Sequence, residues 1–494
     1  MKKKQLFTSL PVTCHTDYVT QGSTFVVIKG LKEDGSAYIQ KALEQGASKI
    51  VVERGTQLAP EPLALIELLL LIDEYQAELV YVENARKALA HLSAQAAEYP
   101  AQKLKFFSVG GTKGKTTTVS MLAHLLKTAG KKVAFLSTAL IGIYTDKDEL
   151  ADVDCTGTLT TPQPDYLHQF LKLCVEKGVE YVVLEVAAQA HTFYRLEGIE
   201  FEGVIFTNLD REHGELYPSM EQYFLEKEKL FSHLKPGGAL LANGDDLYGR
   251  RILETHPNAC SFGLQPDVRY HATLISDTLH EQQATLTTPA GTMTCTYQGF
   301  PGNYNLSNVI AALGLLHTCG FSLEMLTSKT IAFPPVPGRL EMHHLANGAL
   351  AVIDYAHTAA SFEQVLGLMR PRTHQLIVLF GAGGQKDKEK RPTMGHVASR
   401  LADVVIVTDD NPRTEDPIAI ADHIVSGVHA EHKDRVFVIH DREAAIKRAY
   451  ELSHPGSIIM LLGKGPDDVQ IVGTQRLFFS ERQVLNDVQR ISYL

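Results

Sequence analysis

A glycine-rich loop between an apolar strand and an amphipathic helix constrains this 494-residue chain most. The apolar segment Lys105–Val109 is predicted to be a buried strand, and apolar residues recur at helical spacing after the loop until Gly130. Backbone N–H groups of such a loop, together with the N-terminus of the helix, attract a phosphate group. The sequence therefore predicts a nucleoside triphosphate site. The loop residues are Gly111, Thr112, Lys113, Gly114, Lys115, Thr116 and Thr117.

Two side chains of this loop have a predicted chemical role. Lys115 is placed to reach the β- and γ-phosphates, and the Thr116 hydroxyl is placed to ligate Mg²⁺. Val109 stands where the usual phosphate-loop spacing has its first glycine, so the loop is a variant of that pattern. A bare glycine turn is the alternative interpretation, and the strand–loop–helix context disfavours it.

Composition narrows the class of protein and its partners. With domains of roughly 100–200 residues, the chain length predicts about three domains. The net charge of −10 and the lack of a basic stripe argue against nucleic acid and anionic membranes as main partners. The six cysteines are scattered without a C-x-x-C pair, which favours reduced cytosolic thiols over disulfides or zinc ligands. We therefore expect a cytoplasmic protein without membrane insertion.

Strand and helix patterns alternate from Lys105 to about Pro337, and again beyond that point. Such alternation indicates parallel α/β sheets whose ligands bind at the carboxyl ends of the strands. The cluster Pro334–Gly338 is predicted to be a linker between the two α/β units.

Polar side chains follow several predicted strands at this ligand edge. Glu185 ends one strand and His213 lies in the loop after the next, so both are plausible Mg²⁺ ligands. A carboxylate that escapes burial and a solvated loop histidine are the alternatives. In the second unit, Asp354 and His357 follow one strand, and the run Asp409–Arg413 follows another.

Seven short strings together resemble the Mur ligases of peptidoglycan synthesis: GTKGKTT, LEV, TNL-x-x-EH, GNYNLSN, GRLE, DYAHT and DNPR. Their order and spacing cover nearly the whole chain. The last two are similar to the MurE branch, which adds the third amino acid. The resemblance implies an α/β protein of three domains. These are an N-terminal α/β domain at 1–102 that binds the UDP-substrate, a central P-loop ATPase domain with a parallel sheet at 103–337, and a C-terminal Rossmann-like domain at 338–494 that binds the amino acid.

The resemblance also implies an ATP-dependent amide-bond ligase acting on UDP-N-acetylmuramoyl-L-alanyl-D-glutamate. A substrate carboxylate attacks the γ-phosphate of ATP to give an acyl phosphate, and the amine of the incoming amino acid then displaces phosphate. ATP and two Mg²⁺ ions are the implied cofactors. Meso-diaminopimelate is favoured as the amino acid, with L-lysine as the alternative. A monomer is expected.

Individual roles follow from the same resemblance. Thr116, Glu185 and His213 would hold Mg²⁺, and Lys227 would be carbamylated by CO₂ to become an anionic oxygen ligand. Without the resemblance, Lys227 would be interpreted as an exposed helix lysine in the run EKEK. The catalytic set is Lys115, Lys227 and His213, and the further ATP-binding set is Asn305, Arg339, Asp354 and His357.

The substrate side departs from the family pattern. The segment His15–Asp17 stands where Asp-Ser-Arg is usual, so an arginine at the uridine diphosphate site has become Asp17. Ala187 and Ala188 replace a serine pair, and Gln189 replaces a histidine. Lys386 stands where an arginine clamp is usual, and it offers a point charge rather than a planar fork. The implied substrate-binding residues are Thr160, Thr161, Gln189, Arg195, Lys386, Asp410, Asn411, Arg413, Gly463 and Asp467.

Two other functions stay open from the sequence. One is a related ligase with a different acceptor, such as the folylpolyglutamate or cyanophycin synthetases, which share the central domain. The other is a nucleotide-binding protein without ligase activity. The retained residues of the phosphate loop and of the metal set argue against the second.

Overall fold

The computed structural model describes residues 4–30, 33–55, 62–145, 153–154, 159–210 and 216–491. The chain divides into two compact units, Met1–Pro334 and Pro335–Leu494. The division falls inside the predicted linker Pro334–Gly338. None of the helices in these described ranges has the length and apolar content needed to cross a membrane.

The first unit begins with a four-stranded, fully parallel sheet. Its inner strands are apolar and buried, and three helices supply apolar residues to its cores. A two-residue strand at the start of the chain pairs instead with a strand far along the sequence. The elements are β1 (Lys4–Gln5), β2 (Val12–Thr13), β3 (Thr24–Val26), α1 (Ile39–Glu44), β4 (Lys49–Glu53), α2 (Pro62–Glu74), β5 (Glu78–Val82) and α3 (Ala85–Ala96).

An eleven-stranded sheet forms the rest of the first unit. Its elements are β6 (Lys105–Gly110), α4 (Lys115–Thr128), β7 (Val133–Leu136), β8 (Ile141–Tyr144), β9 (Val153–Asp154, which pairs with β1), α5 (Pro164–Glu176), β10 (Tyr181–Glu185), α6 (Gln189–Thr192), β11 (Phe201–Phe206), α7 (Met220–Glu228), β12 (Leu234–Asn243), α8 (Leu247–Thr255), β13 (Cys260–Gly263), β14 (Tyr270–Asp277), β15 (Glu281–Thr288), β16 (Gly291–Gln298), α9 (Asn303–Thr318), α10 (Leu323–Thr327) and β17 (Ile331–Ala332).

The strand order in this sheet is β17-β16-β15-β14-β13-β12-β11-β6-β10-β7-β8. Its centre, from β7 to β14 through β6, is parallel, as the sequence predicted. Both ends carry antiparallel strands that the alternating pattern did not predict, since β8 turns back on β7 and β14 to β16 form a meander. Central strands covered by helices on both faces are almost wholly buried, which explains their continuous apolar runs.

The second unit is a six-stranded, Rossmann-like sheet of order β18-β19-β23-β20-β21-β22, parallel except for β18 at its edge. Its parallel core packs against the helices that follow the strands. A separate hairpin of β24 and β25 lies beyond the last parallel strand. The elements are β18 (Glu341–His344), β19 (Leu350–Asp354), α11 (Ala359–Met369), β20 (Leu376–Phe380), α12 (Lys390–Leu401), β21 (Val404–Val407), α13 (Pro417–Val425), β22 (Val436–Val438), α14 (Arg442–Leu452), β23 (Ile458–Leu462), β24 (Val469–Val472), β25 (Gln475–Phe478) and α15 (Glu481–Ile491).

Candidate active site

The glycine-rich loop joins β6 to α4 and is held by the residues that follow the neighbouring strand β11. The Lys113 N–H donates to Asn208 Oδ1 at 2.8 Å, and the Thr207 hydroxyl donates to the Lys113 carbonyl at 2.7 Å. Gly111 has a φ of +126°, and a Cβ there would lie 2.1 Å from Thr207 Oγ1. Gly114 has a φ of +82° directly before the helix begins. The backbone curl that the sequence predicted therefore depends on two glycines and on close packing against β11.

Lys115 begins α4, and its ammonium group lies over the loop. Its Nζ donates to the Thr112 carbonyl at 2.6 Å and lies 3.9 Å from Glu185 Oε1. Lys113, two residues earlier, forms an ion pair with Asp210. The loop therefore places one lysine toward the strand-end carboxylate and another toward the segment after β11.

Glu185 ends β10, next to β6, and is only 3% exposed. Its Oε2 accepts from the Thr116 hydroxyl and from the Thr138 N–H, each at 2.8 Å, and its Oε1 accepts from the Thr138 hydroxyl at 3.1 Å. These hard oxygen donors fit Mg²⁺, which takes one or two carboxylates together with waters and substrate phosphates. Within the described ranges, no three His, Cys, Asp or Glu side chains form a complete metal cage. Thr138 was not predicted, because no motif marks the loop after β7.

Lys227 lies on α7 and is only 4% exposed, so the interpretation as an exposed helix lysine is wrong. Its Nζ donates to the carbonyl of Gly111 at 2.7 Å and lies 4.6 Å from the centre of the Tyr223 ring. The helix therefore brings this amino group to the phosphate loop. His213, the other predicted ligand from this region, falls outside the described residues.

Three of the four predicted acceptor-binding residues of this unit are linked by hydrogen bonds to Glu185 at the end of β10. The Thr161 hydroxyl donates to the Glu185 carbonyl at 3.0 Å, and Arg195 Nη1 donates to the Thr161 carbonyl at 3.0 Å. Thr160 Oγ1 lies 3.0 Å from Thr138 Oγ1, within hydrogen-bond distance. Gln189 begins the short helix α6 after the same strand. The predicted acceptor set is thus arranged around the carboxyl end of β10.

Asn305 is 3% exposed on the first turn of α9. Its Nδ2 donates to the Pro301 carbonyl at 2.9 Å, and its Oδ1 lies 3.4 Å from Asn308 Nδ2. Asn308 in turn packs on the phosphate loop, where a Cβ at Gly114 would lie 2.6 Å from Asn308 Oδ1. Sequence reasoning missed Asn308, although it is the last letter of the string GNYNLSN.

In the second unit, the residues predicted to face ATP lie together at the end of β19. Asp354 accepts from the Leu340 N–H at 2.9 Å and from the Ala356 N–H at 2.8 Å, and burial raises its pKa above the ordinary value. The Arg339 guanidinium lies 4.8 Å from the centre of the Tyr355 ring. His357 Nδ1 lies 2.8 Å from the Tyr355 carbonyl oxygen. Three predicted residues are therefore brought together: Arg339, Asp354 and His357.

The predicted amino-acid residues of the second unit follow β20, β21 and β23. Arg413 has a φ of +53°, and its Nη1 donates to the Gly384 carbonyl at 2.8 Å. Asn411 fixes the same loop, because its Oδ1 accepts from the Ile471 N–H at 2.8 Å and its carbonyl accepts from the Gly384 N–H at 2.9 Å. The side chain of Lys386 is exposed beside them. The loops after β20 and β21 therefore form one bonded structure.

Asp410 lies against the loop after β23. Its Oδ1 lies 3.5 Å from Lys464 Nζ, and a Cβ at Gly463 would lie 3.4 Å from its Oδ2. Lys464 is 1% exposed, donates to the Val469 carbonyl at 2.7 Å, and has a pKa lowered by burial. Sequence reasoning did not select Lys464, although it lies between two predicted residues, Gly463 and the exposed Asp467.

Two family models match most of the chain. The sequence model of one family, described as Mur ligase middle domain, matches residues 109–316, and a second, described as Mur ligase, glutamate ligase domain, matches residues 338–465. The first range contains the glycine-rich loop and β10, which ends in Glu185. The second contains the loops of the Rossmann-like sheet.

Two curated relatives carry the same name, UDP-N-acetylmuramoyl-L-alanyl-D-glutamate--2,6-diaminopimelate ligase. The protein from Thermosynechococcus vestitus is 35% identical over 467 residues, covering 94% of this chain and 89% of the relative. The protein from Clostridium tetani is 33% identical over 485 residues, covering 95% and 92%.

Two solved structures have a similar fold. A 2,6-diaminopimelate ligase of the same name is 26% identical, with a TM-score of 0.61, covering 99% of this chain and 96% of the other. The MurF ligase of Thermotoga maritima in complex with ADP is 20% identical, with a TM-score of 0.62, covering 93% and 95%. The likeness to MurF concerns the fold alone.

Proposed function

Because the chain belongs to the Mur ligase family, we propose that it is an ATP-dependent amide-bond ligase of peptidoglycan precursor synthesis. It adds meso-diaminopimelate to UDP-N-acetylmuramoyl-L-alanyl-D-glutamate through an acyl phosphate. The names of the relatives, at 33% and 35% identity over nearly the whole chain, support this substrate and this amino acid. We propose that the protein acts in the cytoplasm as a monomer.

One observation carries the proposal most strongly. The hydroxyl of Thr116, on the phosphate loop, lies 2.8 Å from the carboxylate of Glu185 at the end of the neighbouring strand. Bound there, Mg²⁺ would neutralise charge on the phosphate oxygens of ATP. Glu185 and Thr116 would supply its protein oxygens, and His213 is proposed as a further ligand.

The loop itself binds and orients the transferring phosphoryl group. Its N–H groups face the phosphates, and the ammonium group of Lys115 stabilises the negative charge that accumulates as the substrate carboxylate attacks. Asn305, buried beside the loop, is proposed to contact the adenine. In the second unit, Arg339, Asp354 and His357 are proposed to contact the nucleotide.

Lys227 is proposed to act as a carbamate. As an ammonium group it would repel a cation held by Glu185, whereas a carbamate offers anionic oxygens. Its 4% exposure and its hydrogen bond to Gly111 support a position in which such a group would be kept away from solvent.

Substrates are proposed to bind along the carboxyl edges of the sheets. Residues 1–102 form the proposed UDP-binding domain, 103–337 the ATPase domain and 338–494 the amino-acid domain. Around β10 the acceptor would contact Thr160, Thr161, Gln189 and Arg195. Arg413 would grip a carboxylate of the amino acid bidentately, which a lysine substrate with its ammonium end would not need. The other proposed amino-acid contacts are Lys386, Asp410, Asn411, Gly463 and Asp467.

Phosphate release from ATP tests this function. We expect release that requires the UDP-muramoyl dipeptide and meso-diaminopimelate together, and that is far slower with L-lysine in a panel of diamino acids. Release only with a non-muramoyl acceptor would favour a related ligase of different specificity. No release with any acceptor, despite binding of ATP, would favour a nucleotide-binding protein without ligase activity.

A further inference from the structure

Two arginines of the first unit share one aromatic ring between the four-stranded and the eleven-stranded sheets. Arg86, in the first turn of α3, places its Cζ 4.5 Å from the centre of the Phe193 ring, and Arg195 places its Cζ 5.3 Å from the same centre. We call these two side chains the guanidinium pair. Phe193 therefore holds two cations close to each other.

Both side chains of the guanidinium pair donate hydrogen bonds to backbone carbonyls. Arg86 Nη2 donates to the Lys29 carbonyl at 2.8 Å, and Arg195 Nη1 donates to the Thr161 carbonyl. Within the part of the chain that the structure describes, no carboxylate forms an ion pair with either side chain. The carboxylate of Glu53 accepts instead from the backbone N–H at the start of α3. Its charge therefore favours the charged form of Arg86 without forming an ion pair. Two cations that no described carboxylate pairs with form a site for an anion.

Burial makes this arrangement costly without a ligand. Arg195 is only 6% exposed, and its Nε is buried without a hydrogen-bond partner. Burial lowers the pKa of Arg86, and burial together with the charge of Arg86 lowers the pKa of Arg195 to about 10. An anion bound across the pair would satisfy the open donor and relieve the repulsion between the two cations.

The position of the pair indicates which anion binds. Arg86 bonds to the carbonyl of Lys29, beyond the carboxyl end of β3, and Cys14 follows the carboxyl end of the neighbouring parallel strand β2. Cys14 precedes the segment at which an arginine is replaced by Asp17. The carboxylate of Asp17 is exposed and lies 3.8 Å from Lys41 Nζ, on an exposed ion pair.

We infer that the guanidinium pair binds the diphosphate of the nucleotide-linked acceptor, with Arg86 replacing the missing arginine. This inference rests on the proposed function, and it adds a residue that no motif identified. Two planar guanidinium forks match the charge and the paired oxygens of a diphosphate. A carboxylate of the muramoyl dipeptide could offer the same chemistry, and UDP, which has no carboxylate, separates the two sources.

The test is calorimetric titration of UDP and of uridine into the full-length protein and into Arg86→Gln. We expect UDP to bind Arg86→Gln about tenfold or more weakly than wild type, with uridine unchanged, because only the diphosphate uses the charge. Arg86→Lys should bind UDP with intermediate strength. In turnover, Arg86→Gln should raise KM for the acceptor and leave KM for ATP unchanged.

Lys87→Gln is the matched control, because Lys87 is the next residue of α3 and lies 5.0 Å from the centre of the Tyr194 ring instead. It should bind UDP as wild type does. The inference is overturned if Arg86→Gln and wild type bind UDP equally well, or if wild type does not prefer UDP over uridine. In either case, turnover of the UDP-muramoyl dipeptide by wild type would still support the proposed function. A wild-type protein that turns over no UDP-muramoyl dipeptide overturns both.

Discussion

The carboxyl edges of the two large sheets are stabilised by different interactions. In the eleven-stranded sheet, the hydrogen bonds to Glu185 come from the neutral groups of Thr116 and Thr138, and the Lys115 ammonium group lies 3.9 Å away. In the Rossmann-like sheet, the carboxylates form ion pairs. Lys464 lies 3.5 Å from Asp410, and Arg482 binds both carboxylate oxygens of Glu341.

The difference separates a carboxylate that is hydrogen-bonded mainly by neutral donors from carboxylates that are directly paired with cations. A hydroxyl that donates to a carboxylate can turn and offer a lone pair to a metal ion, so the central edge can accept Mg²⁺ without loss of structure. The internal ion pairs of the second unit fix loops, and they leave less charge for a ligand. We therefore expect catalysis to depend most on the first edge, and acid stability on the second.

The largest effect is expected at the phosphate loop. Lys115→Ala removes the ammonium group that stabilises the transferring phosphoryl group, so turnover should fall about 10³-fold or more. Phosphate release under saturating substrates measures it. The control is Lys131→Ala, which removes a lysine from an exposed ion pair with Glu180 and should change turnover little. Near-normal activity of Lys115→Ala would contradict the expectation that catalysis depends most on the edge of the eleven-stranded sheet.

The dependence of stability on pH tests the ion pairs of the second unit. Burial by itself would raise the pKa of Glu341 above its ordinary value of 4.5. Hydrogen bonds from His343 and Arg482 outweigh burial and hold this pKa at about 2. Because the folded-state pKa is lowered, this stabilisation is present above pH 4.5 and is lost as the pH falls toward 2. The lowered pKa contributes about 3 kcal/mol to the free energy of unfolding.

Glu341→Gln removes this titration. Its unfolding temperature should fall below that of wild type at neutral pH, and the gap should close between pH 4.5 and 2. Hydrogen exchange of peptides from the second unit locates the effect. A gap that is constant across this pH range would show that the Arg482 pair does not act through its charge.

The next effect concerns the metal requirement. Glu185→Gln keeps the size of the side chain and removes its charge, so the Mg²⁺ concentration for half-maximal activity should rise by roughly 10- to 100-fold. Glu180→Gln, before the same strand, is the control and should leave it unchanged. An unchanged Mg²⁺ requirement in Glu185→Gln would exclude this carboxylate as a ligand.

The smallest effect is expected at the amino-acid loops. Arg413→Ala should raise KM for the amino acid about tenfold, and far more than KM for ATP, because a carboxylate clamp is lost while the backbone bonds of residue 413 remain. Arg400→Ala, from an exposed ion pair with Glu363, is the control. An equal change in both constants would mean that Arg413 does not hold the amino acid.

The phosphate loop and the strand-end carboxylate were predictable because their signals are local. An apolar strand, a glycine-rich turn and a helical repeat specify Lys115 and Thr116 within a few residues of sequence. Glu185 follows from one buried strand. The parallel centre of the sheet was predictable for the same reason, whereas the meander of β14 to β16 was missed because it lies among alternating helices and strands.

Residues placed by long-range packing were not predictable from pattern. Lys227 lies in a highly charged run, and only the docking of α7 against a loop 116 residues away makes it buried. Thr138 and Lys464 carry no motif of their own. Arg86 lies on a helix of another sheet, so nothing in its local sequence indicates Phe193 as a partner.

The contact between Gly111 and Thr207 restricts how this protein can change over time. Any side chain at residue 111 would collide with Thr207 and would also require a φ of +126°, which L-residues rarely adopt. Shortening Thr207 alone would open space without removing the backbone strain. A selection for resistance to an inhibitor that competes with ATP should therefore yield substitutions around the loop, and residue 111 should stay invariant.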